Sequence, residues 1–183
     1  TGVDDNSTDG HQDYDISLSA ADILTDNPVV TTLAGSGTAG SANDNGTAAS
    51  FKNPNGVTSD GTNLYVSDSS NNKIRKIVIS TGEVTTLAGT ASTESGITDG
   101  TGTDARFNNP TGITSDSTSL YVSDSSNHKI RRIVISTGVV TTLVGTATNE
   151  SGYTDDNGTE ARFNYPVAIT SEDTNLYVTD QNN

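Results

Sequence analysis

Short acidic segments around glycine turns are the residues of this chain best suited to bind an ion. The segments are NDNGT, TDGTGTD and DDNGTE, and hard cations such as Ca²⁺ require several oxygen ligands from a loop of this kind. None has the full EF-hand spacing, and ordinary turns also require Asp and Asn, so a structural turn is the favoured interpretation. The candidate calcium ligands are Asp44, Asp99, Asp104, Asp155 and Asp156.

Other side chains that could do chemistry lack partners in the sequence. His128 is the only histidine within the repeated part of the chain, and a zinc site requires several ligands that converge. We therefore predict that His128 is an exposed loop residue. The chain has no cysteine, which excludes thiolate chemistry and disulfides. The motifs GxSxG, HExxH and the P-loop are also absent, so we predict that the chain is not an enzyme and that calcium is its only candidate cofactor.

Charge and composition limit the classes of partner. The chain has 9 basic and 23 acidic residues, for a formal net charge of −14. Nucleic acids and anionic membranes bind clustered positive charge, so both are excluded as partners. No apolar run reaches the 18 residues that a membrane span requires. The richness in Thr, Ser, Asn, Asp and Gly predicts an extracellular, secreted or cell-surface protein.

A repeat of 56 residues organises the chain, and Phe51, Phe107 and Phe163 mark its starts. A period of this length is typical of propellers, solenoids and arrays. We assign residues 1–28 to a separate N-terminal segment, in which Ile16 and Leu18 could form a degenerate strand. The repeats occupy 29–183, as the partial unit 29–35, the units 51–89 and 107–145, and the partial unit 163–183.

Each complete unit contains four short runs that are typical of antiparallel strands. The runs are rich in β-branched residues and are bounded by Gly, Asn, Asp and Ser. In the first complete unit the predicted strands are 56–59, 64–67, 74–79 and 84–88. The third run has apolar residues on both faces, as a sheet covered on both sides requires. These patterns predict an all-β propeller with four-stranded antiparallel blades.

Asp68, Asp124 and Asp180 each end a second strand. We predict that these carboxylates accept hydrogen bonds from the backbone N–H groups that follow them and so pin the hairpin. Basic residues of the third strands are predicted to pair with acids or to cover apolar faces with their aliphatic stems.

The third unit departs from the others in its first strand. Ala168 stands where the complete units have Gly56 and Gly112. Because alanine is tolerated wherever φ is negative, the sequence predicts little effect on the fold.

The motifs together resemble the NHL-repeat family of β-propellers, above all its long-period, Thr-rich versions in secreted bacterial proteins. The resemblance covers about 29–183 and implies a propeller that binds proteins, glycans or other ligands through its loop faces. A few relatives are enzymes, a zinc-containing lyase and calcium-containing lactonase-like propellers, so a metal-dependent channel site is the alternative. A calcium-stabilised adhesin is a further alternative function. The matching elements are D-G-x-G-x-x-A-R-F (99–107), N-P-x-G-I (109–113), L-Y-V-S-D (120–124), N-H-K-I-R-R-I (127–133) and V-T-T-L (140–143).

The units amount to about three blades, one of them split between the N- and C-terminal ends, and propellers typically have 4–8 blades. Either the units belong to a larger propeller, or another chain completes the split blade in a dimeric ring or a filament. Open sheet edges pair readily with a strand of another chain, so we predict protein binding or structural self-assembly. The predicted interface residues are Val30, Thr32, Leu33, Leu176, Tyr177 and Val178.

Overall fold

The computed structural model describes residues 30–183, and residues 34–183 form one compact unit. The described residues form short antiparallel strands linked by loops and single 3-10 turns, and they contain no α-helix. The predicted all-β propeller class is confirmed. No helix in this part of the chain has the length and apolar character needed to cross a membrane.

The first blade is a four-stranded antiparallel sheet in the order β1-β2-β3-β4. Val66 in the second strand lies between Val57 of the first and Arg75 of the third. The four predicted strands are confirmed, with bounds that differ by two residues or fewer. The strands are β1 (Pro54–Ser59), β2 (Asn63–Asp68), β3 (Lys73–Val78) and β4 (Val84–Ala88).

The second blade gains a fifth strand from the segment that connects it to the first blade. This short strand pairs with the outermost strand of the blade, with Gly100 opposite Val140, before the chain crosses to the innermost strand. The connector therefore covers the outer edge of the blade that follows it. The sheet has the order β5-β9-β8-β7-β6, with β5 (Gly100–Thr101), β6 (Pro110–Ser115), β7 (Ser119–Asp124), β8 (Lys129–Val134) and β9 (Val139–Val144).

The third blade is a hairpin of β10 (Pro166–Glu172) and β11 (Asn175–Asp180). Ile169 lies opposite Val178, the register found between the first two strands of the other blades. Among the described residues β11 pairs with β10 alone. Its second edge is therefore open in this part of the chain.

The structure differs from the sequence prediction at the first partial unit. Residues 30–35 do not form the expected fourth strand, and only Thr31 is in an isolated bridge position. A strand requires a hydrogen-bonded neighbour, and the predicted neighbour around Ile16 and Leu18 lies outside the described residues. The degenerate strand and the boundary at residue 28 stay predictions.

The hydrophobic core lies between the first and second blades. It joins Tyr65 and Ile74 of the first blade to residues of the second, and no side chain in the cluster is more than 6% exposed. The second blade is covered on its other face by the third, where the Thr111 hydroxyl donates to the Val167 carbonyl at 2.8 Å. The other members of the core are Ala88, Ala105, Phe107, Ile113, Leu120, Val122, Ile133 and Val140.

The innermost strands of successive blades approach so closely that a side chain has no room at one position. A Cβ atom on Gly56 would lie 2.5 Å from the Thr111 carbonyl oxygen, and one on Gly112 would lie 2.3 Å from that of Val167. Ala168, at the matching position of the third blade, is exposed. The methyl group of Ala168 is therefore accommodated because no described strand packs over it. The sequence prediction considered only the backbone φ, and the packing of the next blade is the further condition.

We predict that Gly112→Ala destabilises the chain by about 1–3 kcal/mol, because the contact is with backbone that moves only if β10 moves. Urea denaturation followed by circular dichroism measures the effect. The matched control is the reverse exchange in the third blade, Ala168→Gly, for which we expect a loss of about 1 kcal/mol or less from backbone entropy. Equal midpoints for Gly112→Ala and the wild type would contradict the close approach.

Candidate functional site

Each complete blade contains an arginine whose side chain is fully buried. The two residues are Arg75 in β3 and Arg131 in β8, and both have side chains that are 0% exposed. A buried charge is strongly unfavourable unless it is paired and hydrogen-bonded. The surroundings of these guanidinium groups therefore show what holds the blade together.

Arg131 contacts the end of one strand and the connector at the same time. Its Nη1 donates to Oδ2 of Asp124 at 2.8 Å, and its Nη2 donates to Oδ1 of Asp99 at 2.7 Å. Two connector carbonyls accept further hydrogen bonds from the same nitrogens. The guanidinium carbon lies 5.1 Å from the centre of the Phe107 ring, a cation–π contact. One side chain thus joins β8, the end of β7 and the connector.

Asp124 is held from two further directions. Its Oδ1 accepts the backbone N–H of Asn108 at 2.7 Å, and its Oδ2 accepts a side-chain N–H of Asn127 at 2.8 Å. Complete burial raises the pKa of Asp124 to about 6, against the lowering effects of Arg131 and the N–H donors. The prediction that the backbone after the aspartate supplies the donors was wrong. The backbone donor lies 16 residues earlier, so Asp124 ties the start of the unit to the end of β7.

The first blade repeats this arrangement. Arg75 donates to Asp68 at 2.8 Å and to Oδ1 of Asn43 at 2.8 Å, and its guanidinium carbon lies 5.0 Å from the ring centre of Phe51. Oδ1 of Asp68 accepts the backbone N–H of Lys52 at 2.7 Å. We call this cluster the arginine node. It comprises the arginine, the aspartate that ends the second strand, the connector Asp or Asn, the phenylalanine, and the asparagine three residues after the aspartate.

The lysines that precede these arginines by two residues do not pair with acids. Lys129 is buried, and its Nζ donates to the carbonyls of Thr146 and, at 2.8 Å, Thr148 in the next connector. Lys73 makes the corresponding contact with the Ala91 carbonyl at 3.4 Å. The predicted pairing with acids therefore holds for Arg75 and Arg131, while the buried lysines bind backbone carbonyls.

The third blade contains the node without its arginine. Oδ1 of Asp180 accepts the backbone N–H of Asn164 at 2.8 Å, and the side-chain amide of Asn183 donates to Asp180. Asp155 and Phe163 stand 56 residues after Asp99 and Phe107. None of the ion pairs in the described chain includes Asp180. We call the group Asp155, Phe163, Asp180 and Asn183 the open node.

A groove of 410 Å³ lies between the second and third blades, at the turn of the β10–β11 hairpin and the start of β11. Its walls include Tyr121 and Leu143 of the second blade and Leu176 of the third. The residues that correspond to the first two in the first blade are Tyr65, which is buried in the core between the blades, and Leu87, which packs against that core. The groove therefore covers part of the space that a third and a fourth strand would occupy in a complete third blade.

Half of the predicted interface residues lie at the open edge of β11. Leu176, Tyr177 and Val178 are consecutive in β11, and Tyr177 is 53% exposed. Val30, Thr32 and Leu33 fall outside the compact unit of residues 34–183. The proposed pairing of the two groups across chains stays a prediction.

His128 is an inter-blade contact. It follows the turn Ser125–Asn127 in the left-handed conformation, with φ of 57°. Its Nδ1 accepts the backbone N–H of Tyr165 at 3.0 Å, between the second and third blades. The equivalent contact between the first and second blades is made by Asn72, whose Oδ1 accepts the backbone N–H of Asn109 at 2.8 Å. The prediction of an exposed loop histidine was wrong, because the side chain is half-buried against the following blade.

The contact made by His128 depends on its charge, because a protonated Nδ1 has no lone pair to accept the Tyr165 N–H. Burial lowers the pKa of His128, with Asp180 opposing this effect and Lys129 adding to it. The unfolded chain therefore binds the proton more readily. The stabilisation is complete above the unfolded pKa of about 6.5 and is lost progressively as the pH falls towards the folded value.

The aspartates predicted to bind calcium do not form one cluster. Asp99 faces Arg131, and Asp44 and Asp156 each accept the backbone N–H of the next residue. Within residues 30–183 no three His, Cys, Asp or Glu side chains are grouped so that they could hold a metal ion. Calcium binding stays a prediction. The five aspartates lie on three connectors: Asp44 on one, Asp99 and Asp104 on the next, and Asp155 and Asp156 on the last.

Comparison with known proteins was made for the sequence and for the fold. No protein-family model matches the chain. NHL repeat-containing protein 2 of Bos taurus is 36% identical over 148 residues, which cover 74% of this chain and 20% of that protein. The chain belongs to the NHL-repeat family. The family resemblance of the motifs is thereby confirmed.

Other relatives share part of this NHL-repeat chain. Protein SUPPRESSOR OF QUENCHING 1, chloroplastic, of Arabidopsis thaliana is 31% identical over 144 residues, 73% of this chain and 14% of that protein. An auxiliary nutrient binding protein from Bacteroides thetaiotaomicron superposes with a TM-score of 0.59 at 26% identity, over 66% of this chain and 33% of that one. The NHL-repeat chain thus spans about a fifth or less of the length of these curated relatives.

We predict that Arg131→Ala lowers the free energy of unfolding by about 3–5 kcal/mol, because it leaves Asp124 buried without its cation. Chemical denaturation of the full chain measures the loss. The matched control is the exposed neighbour Arg132, for which replacement by alanine should change stability by about 0.5 kcal/mol or less. Similar losses for the two variants would contradict the role of the node.

We predict that His128→Asn removes part of the loss of stability between about pH 7 and pH 5, because asparagine makes the same contact at residue 72 and does not titrate. Thermal unfolding across this pH range provides the measurement. His11→Asn is the control, since the chain has 2 histidines. An unchanged acid dependence in His128→Asn would count against the titration of this contact.

Proposed function

We propose that this NHL-repeat chain is a non-catalytic, extracellular protein-binding module that accepts a β-strand at the open edge of β11. The proposal rests on two features together: the unpaired edge of β11 and the 410 Å³ groove at the start of that strand. An unpaired edge offers a row of N–H and C=O groups to an incoming strand, and a neighbouring groove provides specificity.

The second blade supports a definite geometry for the added strand. There β7 lies between β6 and β8, and Val122 lies opposite Arg131 across an antiparallel pair. A strand on β11 in the same register would lie antiparallel to it, with its third residue opposite Val178. A fourth strand beside it would cover Tyr121 and Leu143, which now line the groove.

Self-assembly is one form of this proposal, in which a second copy provides the strand. The outer face of the first blade exposes 61% of Val57 and has a shallow groove lined by Phe51, Pro54, Val66 and Ile77, among others. Contact between this face and the third blade of another copy would be heterologous, and it would lead to a ring or a filament.

Several observations support a binding role over a catalytic one. The first strands contain Val57 and Ile113, and Thr114 is hydrogen-bonded to Ser171 of the next blade at 3.0 Å. A metal-dependent lyase- or lactonase-like site would require carboxylates or histidines there. The superposed Bacteroides thetaiotaomicron protein is named as a nutrient binding protein. The extracellular setting is supported by the composition of the chain.

We predict that a peptide of residues 127–146, which contains the third and fourth strands of the second blade, binds the 183-residue chain. Hydrogen exchange should show slower exchange of the amides of Asn175–Asp180 when the peptide is bound. Leu176→Lys should weaken binding about tenfold or more, because it places a charge beside the groove.

Tyr153→Lys is the control, because Tyr153 is 84% exposed and lies on the connector. Light scattering across protein concentrations tests whether copies of the chain also associate with each other. An unchanged exchange rate in β11 together with no measurable binding would contradict strand addition.

A further inference from the structure

We propose that the junction between the second and third blades contains a binding site for a neutral sugar. The site lies where the turn between β7 and β8 meets the segment that precedes β10. It uses neither the edge of β11 nor the groove at the start of that strand, so it is independent of the proposed strand addition. We call it the aromatic junction, and it comprises Asn109, Ser126, His128 and Tyr165.

The chain departs from its own repeat at this junction. Asn72 and Asn109 meet between the first and second blades, and His128 and Tyr165 stand 56 residues after them. The turns that precede Asn72 and His128 have the same sequence, Ser-Ser-Asn. Two aromatic side chains therefore replace two asparagines at equivalent places.

Tyr165 has a backbone conformation that suits asparagine better than tyrosine. Its φ is 66°, and the residues at the same place in the other units, Asn53 and Asn109, have φ of 50° and 53°. Asparagine is tolerated in the left-handed region, whereas a bulky residue there is strained. Strained residues persist where the surrounding structure holds them, and they are concentrated at binding and active sites. Because asparagine satisfies the fold at this position, the tyrosine ring points to a role in binding.

Three hydrogen bonds hold Tyr165 in this conformation. Its backbone N–H donates to Nδ1 of His128 at 3.0 Å, and its hydroxyl accepts a side-chain N–H of Asn109 at 2.6 Å. Its carbonyl accepts the backbone N–H of Gln181 at 3.2 Å. Because the hydroxyl reaches Asn109, the side chain spans from the third blade to the second. All four residues of the aromatic junction are half-buried, so part of each remains accessible to a ligand.

Hydrogen-bonding groups at the aromatic junction are left for a ligand. Because Nδ1 of His128 accepts a hydrogen bond, the proton of the neutral ring lies on Nε2. In the described part of the chain, this Nε2, Oδ1 of Asn109 and the Ser126 hydroxyl form no hydrogen bond. The Tyr165 hydroxyl accepts from Asn109 and keeps its own hydrogen as a donor. Asn72, by contrast, uses both ends of its amide to bind backbone groups.

A neutral sugar ring matches this set of groups. One face of such a ring consists of C–H groups that can cover the tyrosine ring. Its hydroxyls both donate and accept, as the donors of Tyr165 and His128 and the acceptor of Asn109 require. The formal net charge of −14 disfavours an anionic ligand. A cationic ligand offers no acceptor for the Tyr165 and His128 donors.

The test is a titration of the full 183-residue chain with cellohexaose, mannohexaose and chitohexaose, followed by NMR of the backbone amides. We expect at least one of these neutral oligosaccharides to shift the amide signals of Ser126, His128 and Tyr165. The signals of Ser70 and Asn72, the equivalent residues of the first blade, should stay in place. The absence of shifts at the aromatic junction with all three sugars would overturn the proposal, as would equal shifts at the first blade.

Tyr165→Asn separates a binding role from a structural one. We expect its Kd for the oligosaccharide to be at least about tenfold higher. Its melting temperature should rise or fall by no more than about 2 °C, because asparagine suits the positive φ. Tyr153→Asn is the matched control with an unchanged Kd, since Tyr153 is 84% exposed on the connector. An unchanged Kd for Tyr165→Asn would show that the ring has no role in binding and would overturn the inference.

Tyr165→Phe keeps the ring and removes only the hydroxyl, so it tests the inference even if asparagine impairs folding. We expect an intermediate Kd for this variant, because the contact between the two rings is retained. A Kd as high as that of Tyr165→Asn would contradict stacking of the sugar on the tyrosine ring.

Discussion

The buried ion pair between a third-strand arginine and the aspartate that ends the second strand is the interaction on which each blade depends. Removing both charges from water is costly, and the cost is offset by the ion pair and the further hydrogen bonds around it. Arg131 needs Asp124, which ends β7, and Asp99 and the Phe107 ring, which belong to the connector. This cluster is therefore complete only when the connector, the second strand and the third strand of a blade are all present.

A second type of contact recurs between successive blades: side chains form hydrogen bonds with backbone atoms of the following unit. Ser69 donates to the Pro110 carbonyl at 2.5 Å, and Ser125 donates to that of Pro166 at 2.6 Å. Two differences between the repeat units alter these contacts, and both lie at the junction of the second and third blades. His128 replaces an asparagine there and makes the contact dependent on pH, and Ala168 occupies a position where the closely packed blades need glycine.

The sequence by itself determined the repeat, the all-β class, the four strands of each complete unit and the family. These features depend on local hydrophobic patterns, turn residues and the 56-residue period. Tertiary structure decided the roles of Asp99, Asp124 and His128, because each contacts a residue that lies 16 to 37 positions away along the chain: Arg131, Asn108 and Tyr165 respectively. In the sequence alone, an aspartate at this position fits a calcium ligand and a partner of a buried arginine equally well. Only the path of the connector, which brings Asp99 to the guanidinium of Arg131, distinguishes the two.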